Sequence, residues 1–304
     1  MEPTPNDDDS ASLITASVDG DLELVRELVE QRNVDPNFIN EEGWSAITYA
    51  TNSGRLDIVR YLIEERNVDP NTVNGIGLLP ITIACELGHM EIVRYLIEER
   101  GVDPNSSDMH DSIPVTAACL YCKMDVVRYL IEERHVDPNS KNGYGTTPVI
   151  LASFSGHLKL VRYLVESQHV DPKLKDDIGW TPLSTACEHG CLDIVKYLVE
   201  EQNVDPNEND GTGTSPITTA GENGMLEVLQ YLTKERNVDP NSVDDNGGTP
   251  MAAACQNGNL EIVQFLVEQL KVDPNAKDSA GVKPITMARE NGRREIVKYL
   301  EQFC

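Results

Sequence analysis

The sequence predicts an all-α fold: a solenoid of stacked helix-turn-helix units with β-turn or hairpin fingers between them. Three observations carry this reading. The string Val-Asp-Pro recurs at Val34, Val68, Val102, Val136, Val170, Val204, Val238 and Val272, always 34 residues apart. A period of that length is characteristic of stacked repeat architectures. An alanine keeps the same spacing at Ala16, Ala50, Ala84, Ala118, Ala152, Ala186, Ala220, Ala254 and Ala288. The prolines leave no room for anything else: eight lie in the Val-Asp-Pro columns, seven more at Pro80, Pro114, Pro148, Pro182, Pro216, Pro250 and Pro284, and only Pro3 and Pro5 remain. No Pro-rich linker and no shift in composition mark a second domain.

Each element of one period has a local cause. Thr147-Pro148, Thr181-Pro182 and Thr249-Pro250 put an N-cap hydroxyl before a proline at the first helical position. A short first helix follows through the alanine column and stops near glycine at Gly54, Gly88, Gly156, Gly190, Gly224, Gly258 and Gly292. A second helix starts at once. In the stretch from Leu56 to Arg66 the apolar residues Ile58, Val59, Leu62 and Ile63, with Tyr61 on a second flank, make a wide stripe buried on more than one side. The next column holds Asn33, Asn67, Gly101, His135, His169, Asn203, Asn237 and Lys271. Asn, Gly and His favour positive φ, so this is read as the left-handed residue that ends the second helix. The valine after it covers the last turn. Asp-Pro then leads into loops such as Asn40-Glu41-Glu42-Gly43, whose composition suits a turn or hairpin finger.

Thr-Pro-Leu-x-x-Ala at Thr181 to Ala186, Gly-His-Leu at Gly156 to Leu158, and the helix Leu192-Asp193-Ile194-Val195-Lys196-Tyr197-Leu198 resemble the ankyrin repeat. The resemblance covers about nine repeats and nearly the whole chain. It implies an ankyrin-repeat solenoid and, in general, protein partners. Two features depart from the family pattern. The histidine of its Thr-Pro-Leu-His run is replaced, mostly by Thr48, Thr82, Thr116, Thr218 and Thr286, and the period is one residue longer, with the extra residue in the Asn-Val-Asp-Pro-Asn exit loop.

The expected organisation is an acidic tail over residues 1–9 and a single repeat domain over 10–304. The ends read as caps: Glu27 stands where other repeats have Tyr or Phe, Arg294 where others have Leu or Met, and Glu301 where most have Ile or Val. Terminal repeats need a polar outer face, so a complete solenoid and a monomer are expected. The 304 residues carry 25 Lys+Arg against 51 Asp+Glu, a net charge of −26. Such a surface repels phosphate backbones and anionic membranes, which excludes nucleic-acid and membrane binding as first readings. No run of about 20 apolar residues predicts a membrane span. The N-terminus is acidic without an apolar core, unlike a secretory signal. Seven cysteines, an odd number with no disulfide spacing, fit free thiols in a reducing compartment. A cytoplasmic location is expected, and the nucleus fits equally.

Catalytic chemistry finds no support. Gly-x-Gly-x-x-Gly, phosphate-loop, His-Glu-x-x-His and Gly-x-Ser-x-Gly motifs are absent. Most carboxylates sit in register, as Glu64-Glu65, Glu98-Glu99 and Glu132-Glu133 do, and read as a solvated face with helix pairs such as Arg60 and Glu64. Cys85, Cys119, Cys187 and Cys255 share one column. Stacked helices about 8–10 Å apart would hold them too far from a common metal at about 2.3 Å, so they read as small packing residues. Cys119-x-x-Cys122 and Cys187-x-x-x-Cys191 near His89, His157 and His189 lack the spacing of a four-ligand zinc site. No enzyme activity, cofactor or metal is expected.

Residues that break the period point to binding. Such solenoids present a concave face formed by fingers and first helices. Of ten tyrosines, seven occupy the second-helix column and read as core; Tyr49, Tyr121 and Tyr144 fall on a first helix or a finger. Trp44 and Trp180 share one finger position. Tyr and Trp are frequent interface anchors. The two positions before the helix-ending glycine are polar in most repeats, as in Glu188-His189, but read Glu86-Leu87, Leu120-Tyr121 and Phe154-Ser155 in the middle. There the glycine itself becomes Cys122, and the finger is Asp108-Met109-His110-Asp111. Trp44, Tyr49, Leu87, Leu120, Tyr121, Tyr144, Phe154, Trp180 and His189 are therefore the candidate partner-binding residues. For the middle patch the alternative is local repacking, and for the tryptophans it is bracing of the next finger. The function expected is an adaptor, scaffold or inhibitor whose protein partner carries a basic segment. The alternative function is a structural spacer or self-assembling element; metal or redox sensing through the cysteines is a third, weak reading.

Overall fold

The computed structural model describes residues 7–303, and eighteen α-helices follow one another there in pairs. The described residues fall into two compact units, one up to Pro148 and one from Val149. Both have the same construction. Residues 1–6 of the tail expected over 1–9 lie outside the described residues, as does Cys304. The first helix, Asp7–Asp19, begins inside that expected tail. Acidic residues are favoured at a helix N-terminus, and Asp9 is held by Arg32 at 2.9 Å.

In the first unit the first helices are Asp7–Asp19, Ala46–Asn52, Pro80–Leu87 and Pro114–Leu120. They pack against one another through the alanine column, where Ala50, Ala84 and Ala118 have no exposed surface. A larger side chain there would force the helices apart. The second unit repeats the arrangement with Pro182–Glu188, Pro216–Glu222, Pro250–Asn257 and Pro284–Glu290. Capping follows the sequence at Thr181, whose hydroxyl accepts from Ser184 N at 3.0 Å while Ser184 Oγ accepts from Thr181 N at 2.9 Å. Thr48 closes the same box on Ser45 N at 2.9 Å, so the position that usually holds histidine serves its own helix end. Thr147 differs: its hydroxyl is buried without a partner among the described residues.

The second helices depart from a plain α-helix. In most repeats the last turn widens. Arg100 N donates to Tyr95 O, five residues back, at 3.2 Å, and Val102 N donates to Leu96 O, six back, at 3.0 Å. The cause is the left-handed residue between them. Gly101 has φ 67°, and Asn33, Asn67, His135, His169, Asn203, Asn237 and Lys271 all lie between 54° and 59°. This reversal lets the following amide cap an earlier carbonyl, and the buried valine covers the turn.

Repeats are tied across the second-helix face by a three-residue unit. Tyr129 is buried; its hydroxyl donates to Glu98 of the preceding repeat at 3.0 Å, and Arg94 lies 4.3 Å over its ring. Arg94 also grips Glu133 with both Nη atoms, at 3.0 and 2.8 Å. Arg26 over Tyr61 repeats the whole arrangement, with the Tyr61 hydroxyl donating to Glu30 at 3.1 Å. Arg60 over Tyr95 in the first unit and Arg162 over Tyr197 in the second repeat the stacking without a partner for the hydroxyl among the described residues. Tyr299, read from sequence as core, is only half-buried, because among the described residues no further helix pair covers it.

The fingers are turns, with one antiparallel bridge, Ile39 to Ser45, among the described residues. Neighbouring fingers are joined by a backbone bond: Met109 N to Gly77 O at 2.9 Å in the first unit, Gly211 N to Gly179 O at 2.7 Å in the second. Gly179 has φ 98°, and a Cβ there would come within 2.5 Å of Gly211 Cα, so both glycines are needed for this approach.

Candidate functional site

In the first unit the period-breaking residues sit on fingers and at the ends of first helices. Leu87 is 40% and Tyr121 51% exposed, in the same column of two first helices that pack together, and Leu120 is half-buried beside Tyr121. Tyr144, at a finger tip, is 66% exposed. Three further apolar residues on fingers escaped the sequence reading as site residues: Met109, 73% exposed, Ile39, 44%, and Ile76, 43%. Ile76 and Tyr144 stand in the column that holds Glu42, and that contrast was the available signal. Within this region Glu86 is half-buried, and its carboxyl is pushed above the usual range by burial and then by Asp108.

Trp44 and Tyr49 belong elsewhere. Both are half-buried, with ring centroids 5.1 Å apart, and the Tyr49 hydroxyl donates to Glu42 at 3.0 Å. They close a cluster within one finger and its own helix.

In the second unit Phe154 is 46% exposed and leans on His189 of the next repeat, with centroids 4.2 Å apart. The His189 ring also lies near Thr185 O at 3.1 Å and Glu188 at 3.4 Å. Trp180, half-buried, walls a cleft with Glu188, Asp210, Thr212, Glu222 and Asn223. The Glu188 carboxyl is raised, first by burial and further by Glu222, against a lowering from His189. Ile178 is an exposed finger residue that the sequence reading did not single out.

The cysteine column, Cys85, Cys119, Cys187 and Cys255, is buried, and burial pushes these thiols up, that of Cys255 to about 12. Thiols held protonated in this way are poor nucleophiles and poor metal ligands. Among the described residues no group of three or more His, Cys, Asp or Glu is disposed to hold a metal. Among them, too, no helix is long and apolar enough to cross a membrane.

Helix pairs ending on a left-handed residue, tight alanine packing and hydrogen-bonded fingers set the terms for comparison with known families. The family described as ankyrin repeats, in three copies, matches residues 13–108, 115–210, 167–244 and 217–302. The chain is an ankyrin-repeat protein. Ankyrin repeats are in general protein–protein interaction modules and typically non-catalytic. A search of curated proteins gives no match. In this ankyrin-repeat chain the exposed large apolar residues fall on fingers and first helices, apart from Phe303 at the C-terminal turn.

Proposed function

We propose that this ankyrin-repeat chain is a non-catalytic docking module that binds a protein partner through its fingers and first helices, as an adaptor, scaffold or inhibitor. The observation that carries the reading is the pair Leu87 and Tyr121. Both are exposed where the period otherwise places polar side chains. Exposed apolar residues grouped on one surface are characteristic of contact sites. The net charge of −26 favours a partner with a basic segment. The chain acts as a cytoplasmic monomer and uses residues 10–304 as one array.

The self-contained packing of Trp44 on Tyr49 favours a second reading for that end, in which the tryptophan braces its finger and the region is a spacer. The test is a pull-down from native extract with the wild type and with Leu87→Ala/Tyr121→Ala. A partner captured by the wild type should be lost by the double variant while its urea midpoint stays close to wild type. The association rate should also fall as salt rises toward physiological ionic strength, where screening sets in over about 8 Å. Capture unaffected by the double substitution would refute the assignment.

A further inference from the structure

We propose that the cleft under Trp180 receives a cationic side chain, arginine above all, from an incoming chain; the inference rests on reading this face as a docking surface. Two tryptophans, Trp44 and Trp180, stand in one column of the repeat. Trp44 has Tyr49 against it, and the space is filled. The position of Tyr49 is held by Thr185 in the Trp180 repeat and by Thr219 in the next. These smaller side chains leave a cleft of ≈ 110 Å³ between finger and helix ends. That exceeds the roughly 30 Å³ share of a single water and is the size of a side-chain head group.

Three carboxylates border it. Glu188 and Glu222 come from the same column of successive first helices, and Asp210 from the intervening finger. Asp210 is only 7% exposed. The bonds it accepts all fall on Oδ1, from Thr212 N at 2.9 Å, Thr212 Oγ1 at 2.6 Å and Thr214 N at 3.2 Å. Its Oδ2 accepts none among the described residues. That oxygen is not sealed from solvent, and it is free to accept from a donor brought in from outside. Nor does the chain supply a lysine or arginine to the other two: no ion pair of Glu222 is present among the described residues, and Glu188 has only the His189 contact, ionic only if the ring is protonated. The Glu188 carboxyl is raised mainly by burial, with His189 lowering it and Glu222 adding a smaller rise.

The three carboxylates are not gathered tightly enough for a metal ion. Spread around a cleft that Trp180 also lines, they suit a planar organic cation. A guanidinium stacks on an indole face and offers a fork of donors to carboxylates on more than one side.

The test needs no natural partner. Trp44→Phe leaves Trp180 as the sole tryptophan, which is excited selectively at wavelengths where the tyrosines do not absorb. The variant is titrated at low salt with the capped tripeptide glycyl-arginyl-glycine and with its citrulline isostere, which keeps the shape and loses the charge. The expected result is a saturable change in Trp180 emission with the arginine peptide alone, weakened roughly tenfold or more by Glu188→Gln/Glu222→Gln, on the scale of a lost charge-assisted bond. Tyr121→Ala should leave this titration unchanged. An equal response to citrulline, or full affinity in the double variant, would overturn the cation site. A silent titration in a protein that still captures its partner through Leu87 and Tyr121 refutes the cleft alone. A saturable titration in a protein that captures nothing refutes the docking reading and keeps the cleft.

Discussion

The phenyl ring of Phe154 rests on the imidazole of His189, with centroids 4.2 Å apart and planes inclined at 49°. Phe154, read from sequence as a candidate partner-binding residue with local repacking as the alternative, is 46% exposed and also makes a contact between two successive first helices. Aromatic pairs of this kind contribute about 0.5–1.5 kcal/mol beyond the area they cover. Phe154→Ala should lower stability by about 1–2 kcal/mol, more than the ~0.5 kcal/mol of an ordinary surface change. A double-mutant cycle of Phe154→Ala with His189→Ala in urea should return a coupling of about 0.5–1.5 kcal/mol. Additive effects would show that the two rings lie together without stabilising each other.

Tyr129 marks the opposite case. Its ring is 2% exposed beneath Arg94, and its hydroxyl reaches Glu98 at 3.0 Å. Tyr129→Ala should cost about 3–5 kcal/mol, the range for deleting a large core aromatic. Tyr129→Phe keeps the ring and the Arg94 contact and should cost only about 0.5–1.5 kcal/mol for the lost hydrogen bond. Urea midpoints of the two variants separate ring from hydroxyl; equal losses would assign the stabilisation to the Glu98 bond.

The same tyrosines set an alkaline limit. Burial, then the nearby glutamate of the preceding repeat, pushes Tyr61, Tyr95 and Tyr129 up to about 12. In the unfolded chain a tyrosine titrates near 10. A raised folded value means that the native state holds the proton longer, so the stabilisation is complete below about pH 10 and is lost as pH rises toward 12. Cys255, also held up to about 12, adds a loss that begins near pH 9. The urea midpoint should hold from pH 7 to about 9 and then fall steeply, less steeply in Tyr129→Phe. A flat profile to pH 11 would contradict the burial of these hydroxyls.

Where a feature was legible, one residue carried its cause within its own repeat. Asn67 and His169 belong to residue types that tolerate positive φ, and both have it, at 55° and 57°. The widened last turn was not legible, because it follows from how far the reversal at Gly101 carries the next amide. The grip of Arg94 on Glu133 spans 39 residues and needs the register between repeats. Trp44 and Trp180 were indistinguishable as a column. They separate only when Tyr49 and Thr185 are set beside them, since a tryptophan's role depends on what fills the space under its ring. Met109 and Ile76 went unassigned because the contrast of Ile76 with Glu42 in its column says that the residue is apolar, not whether a neighbour covers it.

The repeat that holds Tyr121 carries two strained backbone positions, and relieving them is the last prediction. In other repeats the finger column is glycine at positive φ, as at Gly77 (90°); here it is Asp111 at 57°. The helix-ending column is glycine likewise, as at Gly88 (79°); here it is Cys122 at 56°. A non-glycine residue in the left-handed region costs about 1–2 kcal/mol, and glycine returns part of that through its greater freedom in the unfolded chain. Asp111 accepts from Gly143 N of the next finger through its backbone carbonyl at 2.8 Å, a bond that glycine would keep, while its side chain lies close against Gly143. Asp111→Gly and Cys122→Gly should therefore each raise stability by about 0.5–1 kcal/mol, and the two gains should be close to additive, as for substitutions without a shared partner. Urea midpoints with unchanged slopes check this. A loss of stability in either variant would mean that the Asp111 or Cys122 side chain makes a contact worth more than the strain it carries.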